Sequence, residues 1–131
     1  VRKTIIAAHV QYALTMKIRQ PNTTARSETA IDISEDFFNQ FKSVSYRGMK
    51  KRRYILPITG RPEKWEIDVF PMQDGHYANW VKIDFEFSEG QPRELPPLPD
   101  LFQDVIFGNT QDKSEQDFIR SLYETVFMKQ A

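Results

Sequence analysis

Trp65-Glu66-Ile67-Asp68-Val69-Phe70 is the stretch on which the fold of this chain turns. Apolar and acidic residues alternate across it, the period of a β-strand with one dry face and one polar face. Glu66 and Asp68 therefore point to the same side. The same alternation recurs on both flanks. Residues 78–88 set Trp80, Lys82, Asp84 and Glu86 against Val81, Ile83, Phe85 and Phe87, and residues 50–57 put Lys51 and Arg53 together. Residues 11–19 oppose Tyr12, Leu14, Met16 and Ile18 to Ala13, Thr15, Lys17 and Arg19.

Residues 1–7 and 27–33 read as two further strands, with a turn at Pro21 and Asn22 between the second strand and the third. Ser34 is placed to cap a short helix ending near Val44, with Glu35 and Asp36 suited to the positive end of its dipole. Phe37, Phe38 and Phe41 would pack that helix onto a sheet. Turns are expected at 59–63 and 71–76. Residues 91–100 hold four prolines and must be an extended connection, and residues 114–128 carry Phe118, Leu122, Tyr123 and Val126 at helical spacing. Strands dominate, in an α+β chain.

Two architectures fit such strands. One is a sandwich whose charged faces are solvated. The other is a closed barrel with its apolar exterior covered by helices and a charged, wet interior. Cations gather on two strands (Lys17 and Arg19, Lys51 and Arg53), and carboxylates on two others (Glu66 and Asp68, Asp84 and Glu86). Stability alone does not require that sorting, because cross-strand pairs form with either sign in either place. Arg and Lys suit phosphate oxygens. Clustered carboxylates suit Mg²⁺ or Mn²⁺, which prefers oxygen ligands and is commonly shared between protein and phosphate. A charged interior of this kind is built for a polyphosphate.

Composition narrows the field. A chain of 131 residues is one domain's length. The 18 basic and 18 acidic side chains cancel, so net charge gives no sign of a nucleic-acid partner. Without cysteine there is no disulfide, thiolate zinc site or cysteine nucleophile. His9 and His76 are too few for a histidine-rich metal site. No apolar run approaches the ~18 residues of a membrane span and no signal-peptide pattern opens the chain, so a cytoplasmic protein without a membrane partner, monomeric or homodimeric, is expected.

The hexapeptide 65–70 resembles the W-E-I-D-V-F signature of the CYTH, or triphosphate tunnel metalloenzyme, superfamily, which includes class IV adenylyl cyclases, thiamine triphosphatases and inorganic triphosphatases. Leu14-Thr15-Met16-Lys17 resembles that family's L-T-I-K strand, with Arg26-Ser27-Glu28 following. Lys51-Arg52-Arg53-Tyr54 is similar to its K-x-R-Y strand, Asp84-Phe85-Glu86-Phe87 to its E-I-E-L strand, and Glu94-Leu95-Pro96-Pro97 to the segment beyond. These matches keep the family's order from Leu14 to Pro97.

The resemblance implies one domain over residues 1–131, an eight-stranded antiparallel β-barrel with flanking helices around a triphosphate tunnel. It implies metal-dependent hydrolysis of inorganic triphosphate or of an organic or nucleoside triphosphate, with Mg²⁺ or Mn²⁺ as cofactor. Lys17, Lys51 and Arg53 would contact phosphate, joined by Arg2, Arg19 and Lys82. Asp84 and Glu86 would hold the metal. Glu66 and Asp68 would be the catalytic lining, with Glu28 a lesser member. The family's N-terminal E-x-E-x-K strand is absent. Val1-Arg2-Lys3 is either its remnant or, as preferred here, part of the next strand, with the acidic strand upstream of Val1. Without that strand the alternative is a non-catalytic triphosphate-binding module, and a class IV type adenylyl cyclase is a further alternative that needs a base-binding pocket. Lys82 departs from the pattern too, a cation on the carboxylate face.

Overall fold

A computed structural model of the chain describes residues 1–22, 26–100, 102 and 113–129. The chain divides into two compact units, Val1–Gly48 (to which Lys129 also belongs) and Met49–Met128. Each holds one three-stranded antiparallel sheet.

In the first unit β1 (Arg2–Ile6), β2 (His9–Arg19) and β3 (Arg26–Asp32) form a meander in that order. Opposite residues share a face, so Arg2, Ala13 and Asp32 line up on one side, and Lys17 and Glu28 do so further along. Helix α1 (Glu35–Val44) starts as its sequence dictates. Ser34 accepts a hydrogen bond from the Phe37 N–H at 3.1 Å, with Glu35 and Asp36 in the first turn. Its Phe38 ring meets Tyr12 on the apolar face of β2 at 5.2 Å. Beside that contact the Tyr12 hydroxyl is held above its usual pKa, chiefly by its hydrogen bond to Glu35.

Ile6 pairs with His9, which leaves only Ala7 and Ala8 to turn the first hairpin. Both have positive φ, +45° and +66°. A two-residue turn of that hand suits Asn-Gly, because the left-handed region costs an L-residue with a Cβ roughly 1–2 kcal/mol. The double replacement Ala7→Asn with Ala8→Gly is expected to raise stability by about 1 kcal/mol. A urea midpoint that stays put or falls would contradict that reading of the turn.

The second unit is organised by the decisive hexapeptide. Strand β6 (Lys64–Val69) is central, between β5 (Arg52–Pro57) and β7 (Lys82–Phe85). Leu56, Trp65 and Phe85 lie in one cross-strand row on the apolar face. Trp65 is buried, its ring 5.0 Å from Phe85 and 5.9 Å from Phe102. Helix α2 (Lys113–Val126) contributes Tyr123, edge-on to Phe70 and Trp80 at 6.1 Å each, and Phe70 is the most buried apolar residue among those described. Two-residue strands, β4 (Arg47–Gly48) and β8 (Met128–Lys129), complete the elements.

The eight-stranded barrel expected from the sequence does not form. The structure has two separate, open three-stranded sheets, and among the described residues only six strands are longer than two residues. The segment 78–88, whose alternation reads as one continuous strand, explains part of this. It keeps ladder geometry only over Lys82–Phe85. Upstream, the Ala78 N–H donates to the Phe70 carbonyl at 2.9 Å, closing the turn over residues 71–77. Downstream, the Ser88 N–H donates to the Glu63 carboxylate at 3.0 Å, and Gly90 follows with φ +76°. Among the described residues β7 has no further strand beside it, so the sheet ends there as an open edge. No described helix is long and apolar enough to cross a membrane.

Candidate functional site

The polar face of β5–β6–β7 carries two cross-strand rows. Arg53, Asp68 and Lys82 form one; Ile55, Glu66 and Asp84 form the next. Lys51, just before β5, reaches the same place. Six of the sequence candidates therefore meet on one face, three cations and three carboxylates.

Asp68 is at its centre, 1% exposed. Its Oδ1 accepts from Arg53 Nε at 2.6 Å, and its Oδ2 accepts from Arg53 NH2 and from Lys51 Nζ, both at 2.8 Å. That is the bidentate fork by which a guanidinium grips a carboxylate. Arg53 NH1 also donates to Glu66, and its NH2 lies 3.7 Å from Asp84 Oδ2, an oxygen that Lys82 also contacts. Glu66 and Asp84 are directly opposite each other, an arrangement of like charges that is unfavourable alone. The Arg53 guanidinium sits between them.

The titration behaviour follows from these contacts. Burial pushes the Asp68 carboxyl up, but hydrogen bonds from Arg53 and Lys51 and their charges outweigh it, lowering its pKa from 3.8 to about 2. Arg53 is raised, first by its hydrogen bond to Asp68. Burial lowers the Lys82 ammonium, but its bond to Asp84 reverses that and leaves it raised. A carboxylate with a depressed folded-state pKa stabilises the fold above its unfolded pKa, and that contribution is lost as pH falls through the folded value. About 2 kcal/mol of stability is thus expected to disappear between roughly pH 4 and pH 2. Urea titrations of the wild type and of Asp68→Asn across that window check this, since the variant should lose most of the slope. Equal slopes would refute it.

The remaining candidates lie elsewhere. Arg2, Lys17 and Arg19, with Glu28, belong to the first sheet. Lys17 pairs with Glu28 at 3.3 Å, both more than half exposed, so the pair adds little to stability. Glu86 is exposed and just past the end of β7. Among the described residues no group of three or more His, Asp or Glu side chains is poised to hold a metal. The space between Glu66 and Asp84 is taken by the Arg53 guanidinium.

In comparison with protein-family models, curated proteins and solved structures, nothing matches this chain. The site must be read from its own geometry.

A second charged centre escaped the sequence reading, which took residues 59–63 for a plain turn. Glu63 has a side chain with 0% exposure, paired with Arg61 at 2.6 Å. Arg61 also donates to the carbonyls of Glu94 at 3.0 Å and Pro92 at 3.2 Å, and its guanidinium is 5.4 Å from the Phe85 ring centroid. The Arg61 bond is the main cause of a lowered pKa at Glu63, helped by the Ser88 N–H. Every polar atom there has a fixed protein partner, which marks a structural clamp. The one sequence signal was a pair of opposite charges flanking Pro62 between two apolar strands.

Proposed function

We propose that the charged face of β5–β6–β7 binds a triphosphate-containing small molecule together with a divalent cation, as an open binding module. The observation that carries this reading is the position of Arg53, shared among Asp68, Glu66 and Asp84. It occupies the space between two facing carboxylates that a divalent ion also favours. Lys51, Arg53 and Lys82 would turn from their carboxylates to phosphate oxygens, with Arg53 able to fork onto two of them. Glu66 and Asp84, 23% and 33% exposed, would hold the cation. When bound, that ion would neutralise the ligand's charge and polarise a phosphoryl group. The exchange pairs the turning cations with phosphate and Glu66 and Asp84 with the ion, while the enclosed Asp68 must keep Lys51 or part of the Arg53 fork. The cytoplasm, where such ligands are abundant, is the compartment we assign.

Metal-dependent hydrolysis is the second reading. It rests on the partial exposure of Glu66 and Asp84, since an accessible carboxylate beside a bound phosphate is placed to accept a proton from water. Phosphate release from inorganic triphosphate and from ATP, with Mg²⁺, with Mn²⁺ and with EDTA, separates the two. Metal-dependent turnover would favour the hydrolase. Binding without turnover would favour the module.

Lys82→Ala tests the face at small cost to the fold, because Lys82 contacts only the partly exposed Asp84 among the carboxylates. It is expected to weaken triphosphate binding by about 1.5–3 kcal/mol, the range for a charge-assisted hydrogen bond. Unchanged affinity by calorimetry would remove Lys82 from the site.

A further inference from the structure

The segment Arg93-Glu94-Leu95-Pro96-Pro97-Leu98-Pro99 takes no part in the charged face. Three of these seven residues are proline, whose ring fixes φ near −65°. Leu95, Pro96 and Leu98 each precede a proline and are pushed to extended backbone for that reason. Residues 95–99 accordingly form neither helix nor strand, and the covalent restrictions favour the polyproline II helix with three residues per turn. At that period Pro96 and Pro99 fall along one edge, with Leu95 and Leu98 side by side on the next, and the chain bends at Arg93 and Glu94 just before them.

We infer that this segment is a docking ligand for an SH3-type domain. Such domains bind polyproline II segments in an aromatic-lined groove, through a Pro-x-x-Pro repeat that presents apolar residue–proline pairs. Leu95-Pro96 and Leu98-Pro99 are two such pairs, three residues apart. Arg93 stands three residues before Pro96, at the bend that opens the segment, where a carboxylate-bearing pocket at the groove's end would receive it.

Three features of the structure support this. Arg93 is exposed, and its only described ring contact is the Phe87 face at 5.7 Å, an interaction weak enough at an exposed site to be exchanged for an ion pair. Leu95 is 45% exposed, and Pro96, Leu98 and Pro99 are half-buried, each presenting part of its surface. The Arg61 bonds to the Pro92 and Glu94 carbonyls anchor the start of the segment, which reduces the ordering cost of binding.

The test is calorimetric titration of the full chain into an SH3 domain that has an acidic pocket beside its groove. Saturable binding is expected. It should weaken by about tenfold or more in Arg93→Ala and in the double variant Pro96→Ala with Pro99→Ala, with Arg93→Lys intermediate. Glu94→Ala should bind like the wild type, because only the Glu94 carbonyl is used by Arg61. Circular dichroism of each variant guards against loss of fold, and Arg93→Lys is the reserve should Arg93→Ala not fold. No binding by the wild type, or equal binding by all variants, would overturn the inference.

Discussion

Arg61→Ala is expected to destabilise the second unit by about 3–5 kcal/mol, the cost of leaving a buried charge without its partner. The Glu63 carboxylate that remains has no exposed surface and keeps only one hydrogen bond, from the Ser88 N–H at 3.0 Å, with the charge of Arg93 at longer range. The carbonyls of Pro92 and Glu94 lose their donor at the same time. Arg61→Lys should recover only part of the loss, because one ammonium cannot reach a carboxylate and two carbonyls with the geometry of a guanidinium fork. Adding Glu63→Gln to Arg61→Ala should restore some stability, since the second change removes the unpaired charge. Urea unfolding reads all three. A loss under about 1 kcal/mol in Arg61→Ala would mean that the pair is not buried as described.

Arg53→Ala should cost a similar amount, about 3 kcal/mol, for two reasons that act together. It takes the bidentate partner from Asp68, leaving only Lys51 beside a carboxylate 1% exposed. It also removes the positive charge between Glu66 and Asp84, which then face each other across neighbouring strands. Part of the difference from the wild type should vanish as pH falls from about 4 to about 2, where the Asp68 carboxylate that Arg53 grips gives up its contribution in the wild type. A destabilisation that is the same at pH 7 and pH 2 would show that packing, rather than charge, is what Arg53 supplies.

Local signals in the sequence carried over well. The Ser34 cap with its two acidic neighbours defines the start of α1, because a cap depends on residues within one turn. The alternation in residues 65–70 places Glu66 and Asp68 on one face, because that follows from strand geometry alone. What depended on distant partners was lost. β7 stops at Phe85, and three residues on, the Ser88 N–H is held by the Glu63 carboxylate, 25 positions away, rather than by a neighbouring strand. Barrel closure is likewise a matter of which edges pair, and alternation does not report it; a run of alternating residues serves an open sheet equally well.

The candidate site shows the same division. Alternation found Lys51, Arg53, Glu66, Asp68 and Asp84, but the sorting of signs by strand suggested separate basic and acidic walls. Register joins them instead: Arg53 is opposite Asp68, and Asp68 is opposite Lys82. The face is consequently neutral and satisfied at rest, which a strand-by-strand reading could not reveal. Lys82, read as an intruder among carboxylates, is the cation that Asp84 requires.

The most direct measurement is a calorimetric titration of the full chain with inorganic triphosphate alone, with Mg²⁺ alone, and with the two together. If the resting ion pairs are exchanged for a ligand carrying both signs, the combination should bind at least about tenfold more tightly than triphosphate without metal. Equal affinity with and without Mg²⁺, or no binding in any arm, would contradict it.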